Sequence, residues 1–342
     1  MSIIKTLKEK PWMWRAPFLL ILICLSIWII RRHQEPQQQD AWHKNEGAVF
    51  GTFYHITYQS KKDLKKDIEL ALDSVNNSLS MFNPKSTLSK VNSNADMHSD
   101  AMLDEVFALA QKVSKATDGA FDVTVAPLVN AWGFGFKNGA LPDSSQVDSL
   151  KALIGWNRIK IANGLVDKEL PDMVLDFSAI AKGYGCDVAA NVLRKKGVKN
   201  FMVEIGGEVV VEGINDKGKK WRIGVNKPVD DSLSVNNDLE TVLDLSGYAM
   251  ATSGNYRNYY ITDDGKKVAH TIDPHTGYPV QHSILSATVI APTCAEADAF
   301  ATSFMVMGLD KAKEVLKKEK QLSVFFIYAD GNNNKVYSTI EQ

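Results

Sequence analysis

The sequence predicts an α+β fold: a mixed, mainly antiparallel sheet with flanking helices, placed after an N-terminal transmembrane anchor. Strand-like alternation and helical spacing are interspersed along the chain, yet many neighbouring strands are joined by turns short enough for hairpins. At 342 residues and 45% apolar, the chain can bury a substantial core. One apolar run near the N-terminus stands apart from this pattern, bounded by basic residues on both sides. No internal repeat is found.

That run, "APFLLILICLSIWII" at 16–30, follows Lys5, Lys8, Lys10 and Arg15 and stops at Arg31 and Arg32. Fifteen helical residues rise about 22 Å against a hydrocarbon core of roughly 30 Å, and Trp12 and Trp14 extend the run into the interface. It reads as a signal peptide or an anchor, and the missing small-x-small cleavage site favours the anchor. Ile21-Leu22-Ile23 also lacks the small residue expected beside a lipidated Cys24. The basic excess puts the N-terminal end of 1–32 inside and the remainder of the chain across the membrane. Residues 33–47 read as a polar, glutamine-rich tether, and 48–342 as the globular domain.

Within the domain, "VFGTFYHITYQ" alternates as a strand, and 62–79 carries Leu64, Ile68, Leu72, Val75 and Leu79 at helical spacing. A second helix spans 99–116 and ends at Asp118-Gly119, and a short one covers 145–153. Between them, "GAFDVTVAPLVNAWGFGFKNG" is expected to be a strand and a packed loop. "MVLDFSAIAKGYGCDVAANVLRKKG" reads as strand, turn and helix closed by Gly197, and "KNFMVEIGGEVVVEG" as a strand pair around Gly206-Gly207. Short strands fill 221–261. "SILSATVIAP" is then a strand, "TCAEADAFATSFMVMG" and "DKAKEVLKKEK" are helices, and "LSVFFIYADGNNNKVYST" is a closing hairpin.

Net charge is -1, so no global field steers the chain to nucleic acid or anionic lipid, and three cysteines are too few for a disulfide framework. Chemistry must come from local sites. Thr293 and Glu296 have capping-box spacing, which starts a helix carrying Asp298 and Thr302 on one face. Two oxygen donors there suit a hard cation such as Mg²⁺. A dipole-stabilised aspartate and a back-bonded threonine explain the same residues. Lys182, beside glycine at a helix start, suits phosphate or is a solvated surface residue. Glu204-Ile-Gly-Gly207 is a ligand-side bulge or a hairpin corner. "ATSGNYRNYY", with Ser253, is a polar binding loop or a turn.

"HTIDPHTG" at 270–277 has metal-like composition, but Pro274 and Gly277 mark a turn that does not bring His270, Asp273 and His275 together. A histidine at a strand end suits proton transfer near neutral pH.

Taken in order, "GTFY", "GAFDVTVAPLVNAWGFG", "DFSAIAKGYGCDVAANVL", "VEIGGEV", "ATSGNYRNYY", "HTIDPHTG" and "TVIAPTCAEADAFAT" resemble the ApbE family of flavin transferases from about Ala48 onward. The resemblance implies an ApbE-like fold and transfer of FMN from FAD to a threonine or serine of a partner protein. It implies a divalent cation, Mg²⁺, held by Asp298, Thr302 and the backbone carbonyl of Ala179. Some members have a further acidic ligand where this chain has Ala301. FAD would contact Phe82, Ala120, Phe121, Asp122, Asp176, Lys182 and Ile272, and Phe50 where the family often has methionine. His270 becomes the candidate base, Asp273 its orienting partner, and Glu204 and Ser253 further pocket residues. The acceptors implied are subunits of ion-pumping quinone or ferredoxin oxidoreductases. Two alternatives keep the fold: an FAD pyrophosphatase yielding FMN and AMP, and a non-catalytic FAD-binding protein.

Overall fold

The computed structural model describes residues 20–26, 28, 40–135, 141–228, 238–255, 259–262, 267–331 and 333–340. The chain divides into a small unit, Met1–Ala41 with Ser60–Lys62, and a large one, Trp42–Gln59 with Asp63–Gln342. In the small unit residues 20–26 are helical, and Leu20, Ile21, Leu22, Ile23 and Leu25 are exposed. Among the described residues no helix is long and apolar enough to cross a membrane. Of the run expected to form the anchor, residues 16–19, 27, 29 and 30 lie outside them.

The large unit is built on an eight-stranded sheet among the described residues. Its order is β1 (Ala41–Val49), β2 (Thr52–Ser60), β5 (Phe201–Ile205), β6 (Glu208–Glu212), β9 (Tyr248–Gly254), β12 (Ile284–Ala291), β13 (Ser323–Asp330) and β14 (Asn333–Ser338). From β2 to β14 each neighbouring pair is antiparallel, as the hairpin-rich sequence predicts. Smaller hairpins pair β3 (Ile159–Ala162) with β4 (Leu165–Lys168), β7 (Trp221–Asn226) with β8 (Leu239–Leu245), and β10 (Tyr259–Ile261) with β11 (Lys267–Ala269).

Side chains alternate across the sheet. Val210, Ala249, Ala251, Val289, Ala291 and Phe326 face the helices. Their neighbours Val209, Val211, Met250, Ile290, Phe325 and Ile327 face the β7–β8 hairpin through Trp221, Ile223 and Leu243. A layer on each face is why "EVVV" is buried without interruption.

The helices are α1 (Lys65–Leu79), α2 (Thr87–Asn92), α3 (Ala101–Ala116), α4 (Ala126–Ala131), α5 (Ser144–Lys151), α6 (Ala181–Lys195) and α7 (Cys294–Lys318). Inside α7, Gly308 has φ 78° and ψ 171°, so the span is two helices divided at the glycine expected to end the first. The N-cap of α7 is Thr293, whose hydroxyl accepts from Glu296 N–H. The capping box is only half formed, because the Glu296 carboxylate turns to Lys112 at 2.9 Å and to Gln321.

Three expectations need correction. Residues 41–47, read as tether, belong to β1: Asn45 is buried against the Tyr58 hydroxyl, and Trp42 meets Trp221 edge-on at 6.0 Å. The 173–177 segment is not a strand, because Leu175 N–H and C=O bond the side chain of Asn92, both at 2.8 Å, in place of a neighbouring strand. Residues 120–125 are turns leading into α4, which Pro127 starts; Asp122 folds its carboxylate back onto the N–H and hydroxyl of Thr124. The loop residues 136–140 lie outside the described residues.

Helices α6 and α7 meet closely at their N-terminal ends. Asp187 on α6 accepts Cys294 N–H and Ala295 N–H, each at 2.9 Å, and so serves the first-turn donors of α7. Burial pushes the Asp187 carboxyl up to about 6 even against those two donors. A carboxyl raised in the folded state gives stability that is present below its ordinary pKa, near 4, and lost as pH rises through 6. The parent protein should therefore lose stability relative to Asp187→Asn between pH 4 and pH 6.5. Urea denaturation of both proteins at the two pH values checks this, and an unchanged difference would reject it.

Candidate active site

The helix–sheet interface opens into a cavity of about 440 Å³ at the start of α6, the β5–β6 turn, the end of β9, the segment after β11 and the first turns of α7. Its volume is in the range of small-molecule sites. Each wall follows from local sequence. Gly206 and Gly207 have φ of 60° and 106°, values that let a two-residue turn reverse the chain between β5 and β6. Ile180 is the N-cap of α6, so the Ala179 carbonyl precedes the helical ladder, in the turn whose amides bond back to the Phe177 carbonyl. Asp298 and Thr302, four residues apart on α7, face the cavity together.

Asp298 is 2% exposed. Its Oδ2 accepts Gly183 N–H at 3.1 Å, one of the donors a helix start leaves without a partner, and lies 3.8 Å from Lys182 Nζ. Lys182 donates to Glu208 Oε1 at 2.8 Å. The ammonium thus sits between two buried carboxylates. Burial alone would lower its pKa, but Asp298 and Glu208 outweigh that and hold it above the ordinary lysine value. Burial pushes the Glu208 carboxyl up to about 7, with Lys182 opposing and Asp298 adding to the shift. Thr302 Oγ1 lies 3.2 Å from Ser253 Oγ, so a second hydroxyl adjoins the Asp298 face.

Across the cavity, Asp122 accepts Trp156 N–H at 3.0 Å, and burial raises its carboxyl. Asp176 N–H bonds the Val123 carbonyl at 2.7 Å, and its carboxylate accepts Ser178 N–H, which ties the Ala179 turn to the Phe121–Val123 segment. His270 directly follows β11, with its ring edge-on to Phe134 at 6.3 Å. The turn beyond it is pinned by Trp132 Nε1 donating to the Gly277 carbonyl at 2.8 Å.

A model of the ApbE family matches residues 50–326. The chain belongs to the ApbE family. It is 35% identical over 335 residues to the FAD:protein FMN transferase of Escherichia coli (strain K12), spanning 92% of this chain and 93% of that protein. Identity to the FAD:protein FMN transferase of Haemophilus influenzae is 38% over 303 residues, 84% of this chain and 86% of that one. The solved structure of flavin transferase ApbE from Vibrio cholerae superposes with a TM-score of 0.79 at 34% identity, covering 87% of this chain and 97% of that one.

The ApbE chain brings most of the residues expected from sequence to one place. Ala120, Phe121, Asp122, Asp176, Ala179, Lys182, Ser253, His270, Ile272, Asp298 and Thr302 all line the cavity. Four do not. Phe50, at φ 49° in the β1–β2 turn, packs its ring on Gly185 of α6. Phe82 is 70% exposed beyond the cavity wall. Glu204 points to the opposite face of the sheet, where it accepts Gly207 N–H and lies 2.6 Å from His55 Nδ1. Asp273, expected to orient His270, bonds His275 instead: Oδ1 accepts His275 N–H at 2.9 Å and is 3.1 Å from His275 Nδ1. His275 in turn contacts the Asp118 carbonyl at 2.7 Å, so Asp273 and His275 build the turn. Among the described residues no three His, Cys, Asp or Glu side chains gather as a metal centre, which sets the metal-like composition of this stretch aside.

The residue that sequence reasoning missed is Glu208. It pairs with Ile205 across the hairpin, so both side chains share the face that packs on α6, where Lys182 lies. Two-residue turn spacing between Glu204 and Glu208 was the available signal: the strand parity on either side of the glycines sends the two carboxylates to opposite faces.

Proposed function

We propose that this chain moves FMN from FAD onto a threonine or serine hydroxyl of a partner protein, with AMP as the leaving group. The observation that carries this reading is the charge of the cavity. Among its described lining residues the carboxylates Asp122, Asp176, Glu208 and Asp298 outnumber the one ammonium, Lys182. A pyrophosphate is anionic and would be repelled unless further positive charge enters with it. The oxygen donor set fits a hard divalent cation such as Mg²⁺, for which Asp298, Thr302 and the Ala179 carbonyl are the ligands. When bound, the ion would neutralise charge that develops on the departing AMP.

The chain's own residues then have distinct tasks. Lys182 and the Phe121–Asp122 segment position the dinucleotide, and Ile272 packs on it. His270 takes the proton of the incoming hydroxyl as its oxygen bonds to the phosphorus of the FMN half, and the bond from that phosphorus to the AMP oxygen breaks. A hydroxyl is a poor nucleophile without such a base. Cleavage of that bond leaves both its electrons on the AMP oxygen, while the acceptor's proton stays on His270.

The basic-flanked apolar run at 16–30, with its exposed leucines and isoleucines, supports an N-terminal membrane anchor. With that anchor, the domain would lie on the periplasmic side of a bacterial inner membrane, facing acceptor subunits of ion-pumping oxidoreductases.

Mass spectrometry of a candidate acceptor incubated with the full chain, FAD and Mg²⁺ tests the reading. The expected result is an acceptor heavier by one FMN, with an equal amount of AMP released. An unlabelled acceptor alongside free FMN and AMP would assign the chain to FAD hydrolysis instead.

A further inference from the structure

Glu208 is a costly residue to place where it is. Its side chain is 5% exposed, and Oε2 makes no hydrogen bond although it is buried. A carboxylate oxygen left unpaired in the interior costs free energy, and apolar side chains replace a buried ion pair without loss only when both partners go. The three residues that follow it on β6 are valines. Its one strong partner is Lys182, through Oε1 at 2.8 Å, and the other carboxylate near that ammonium is Asp298, with Oδ2 at 3.8 Å. The Glu208 backbone is fixed as well, its carbonyl accepting the Cys186 thiol at 3.2 Å. Lys182 has little freedom on its other side, for its Cδ lies where a Cβ on Gly206 would be 3.4 Å away.

We infer that Glu208 is a positioning residue that holds the Lys182 ammonium off Asp298 and so leaves the Asp298 carboxylate for a divalent cation. The inference rests on the cation assignment proposed above. Without Glu208, the ammonium has one buried carboxylate left to neutralise it. It closes the remaining gap to Asp298 and competes with the cation for the same oxygens. Glu208 thereby acts through Lys182, and its effect disappears when Lys182 is removed.

A double-mutant cycle reads this directly through cation affinity. Mn²⁺ is titrated into the purified full chain without nucleotide, and the free ion is followed by its electron paramagnetic resonance signal. Glu208→Leu is expected to weaken Mn²⁺ binding by about tenfold or more, whereas Lys182→Met combined with Glu208→Leu binds as Lys182→Met alone. Glu208→Gln, which keeps an acceptor for the ammonium, should weaken binding less than Glu208→Leu. Equal weakening by Glu208→Leu with and without Lys182 overturns the inference, because Glu208 would then act on the cation directly. No weakening overturns it too. If thermal melts show that Glu208→Leu does not fold, the Glu208→Gln pair with and without Lys182→Met carries the same comparison. Failure of the parent chain to take up Mn²⁺ is a different result: it removes the cation assignment itself and this inference with it.

Discussion

Replacing His270 with alanine is expected to lower FMN transfer by about 10²–10⁴-fold, the range over which a positioned general base contributes. FAD binding should change far less, because Lys182, the Phe121–Asp122 segment and Ile272, which position the dinucleotide, remain in the cavity wall. The expectation rests on placement. His270 follows a strand end, lines the same cavity as Asp298 and Thr302, and belongs to a turn clamped by Trp132 to the Gly277 carbonyl. Single-turnover labelling of an acceptor, with FAD affinity measured separately, distinguishes loss of chemistry from loss of binding. A variant that labels at the parental rate would remove His270 from the proton-transfer role. Asp273 offers a contrast: its carboxylate serves His275 and the turn, so its replacement should act through turn stability and not through the base.

Gly183→Ala is the second large effect, and its sign opposes helix propensity. In an ordinary helix interior the change is worth about 0.5–1 kcal/mol in favour of alanine. Here an added Cβ would lie 2.3 Å from the Cys294 carbonyl oxygen and 2.8 Å from Ala295 N. Both are backbone atoms at the start of α7, where Asp187 accepts Cys294 N–H and Ala295 N–H. Neither can swing aside, so the two helices must separate, and overpacking of this kind costs about 1–3 kcal/mol or more. The clash wins, and a net loss of about 2 kcal/mol is expected in urea denaturation. Separation also lengthens the Gly183 N–H to Asp298 bond, so the cation affinity proposed for Asp298 should fall with stability. Gly185→Ala is the matched comparison, since the nearest atoms to its Cβ belong to side chains, the Phe50 ring at 2.4 Å and the tip of Ile205 at 3.5 Å, and not to backbone. A Gly183→Ala protein as stable as the parent would show that the helices are not locked at this contact.

Much of the fold was legible because its signals are local. Helical spacing in α1 and α3, the glycine pair of the β5–β6 hairpin and the strands β12 to β14 depend on residues a few positions apart. The Asn163-Gly164 turn of the β3–β4 hairpin, with φ of 54° and 74°, carried an equally local signal that the sequence reading passed over. Where expectation and structure part, the deciding partner is distant in the chain. Asn92 takes the backbone of Leu175 and so removes a strand, while Trp221 draws Trp42 and β1 into order.

The same division runs through the site. By itself the sequence determined the family, the antiparallel α+β plan, and the Asp298–Thr302 pair, because i,i+4 spacing fixes one helical face wherever the helix goes. Only the tertiary structure decided which carboxylate meets Lys182. Hairpin register sends Glu204 to the far face and Glu208 to the cavity, and close packing of α6 on α7 at Gly183 brings Asp298 to the same ammonium. A contact between three elements is set by register and packing distance, and neither is encoded within any one of the segments that make it.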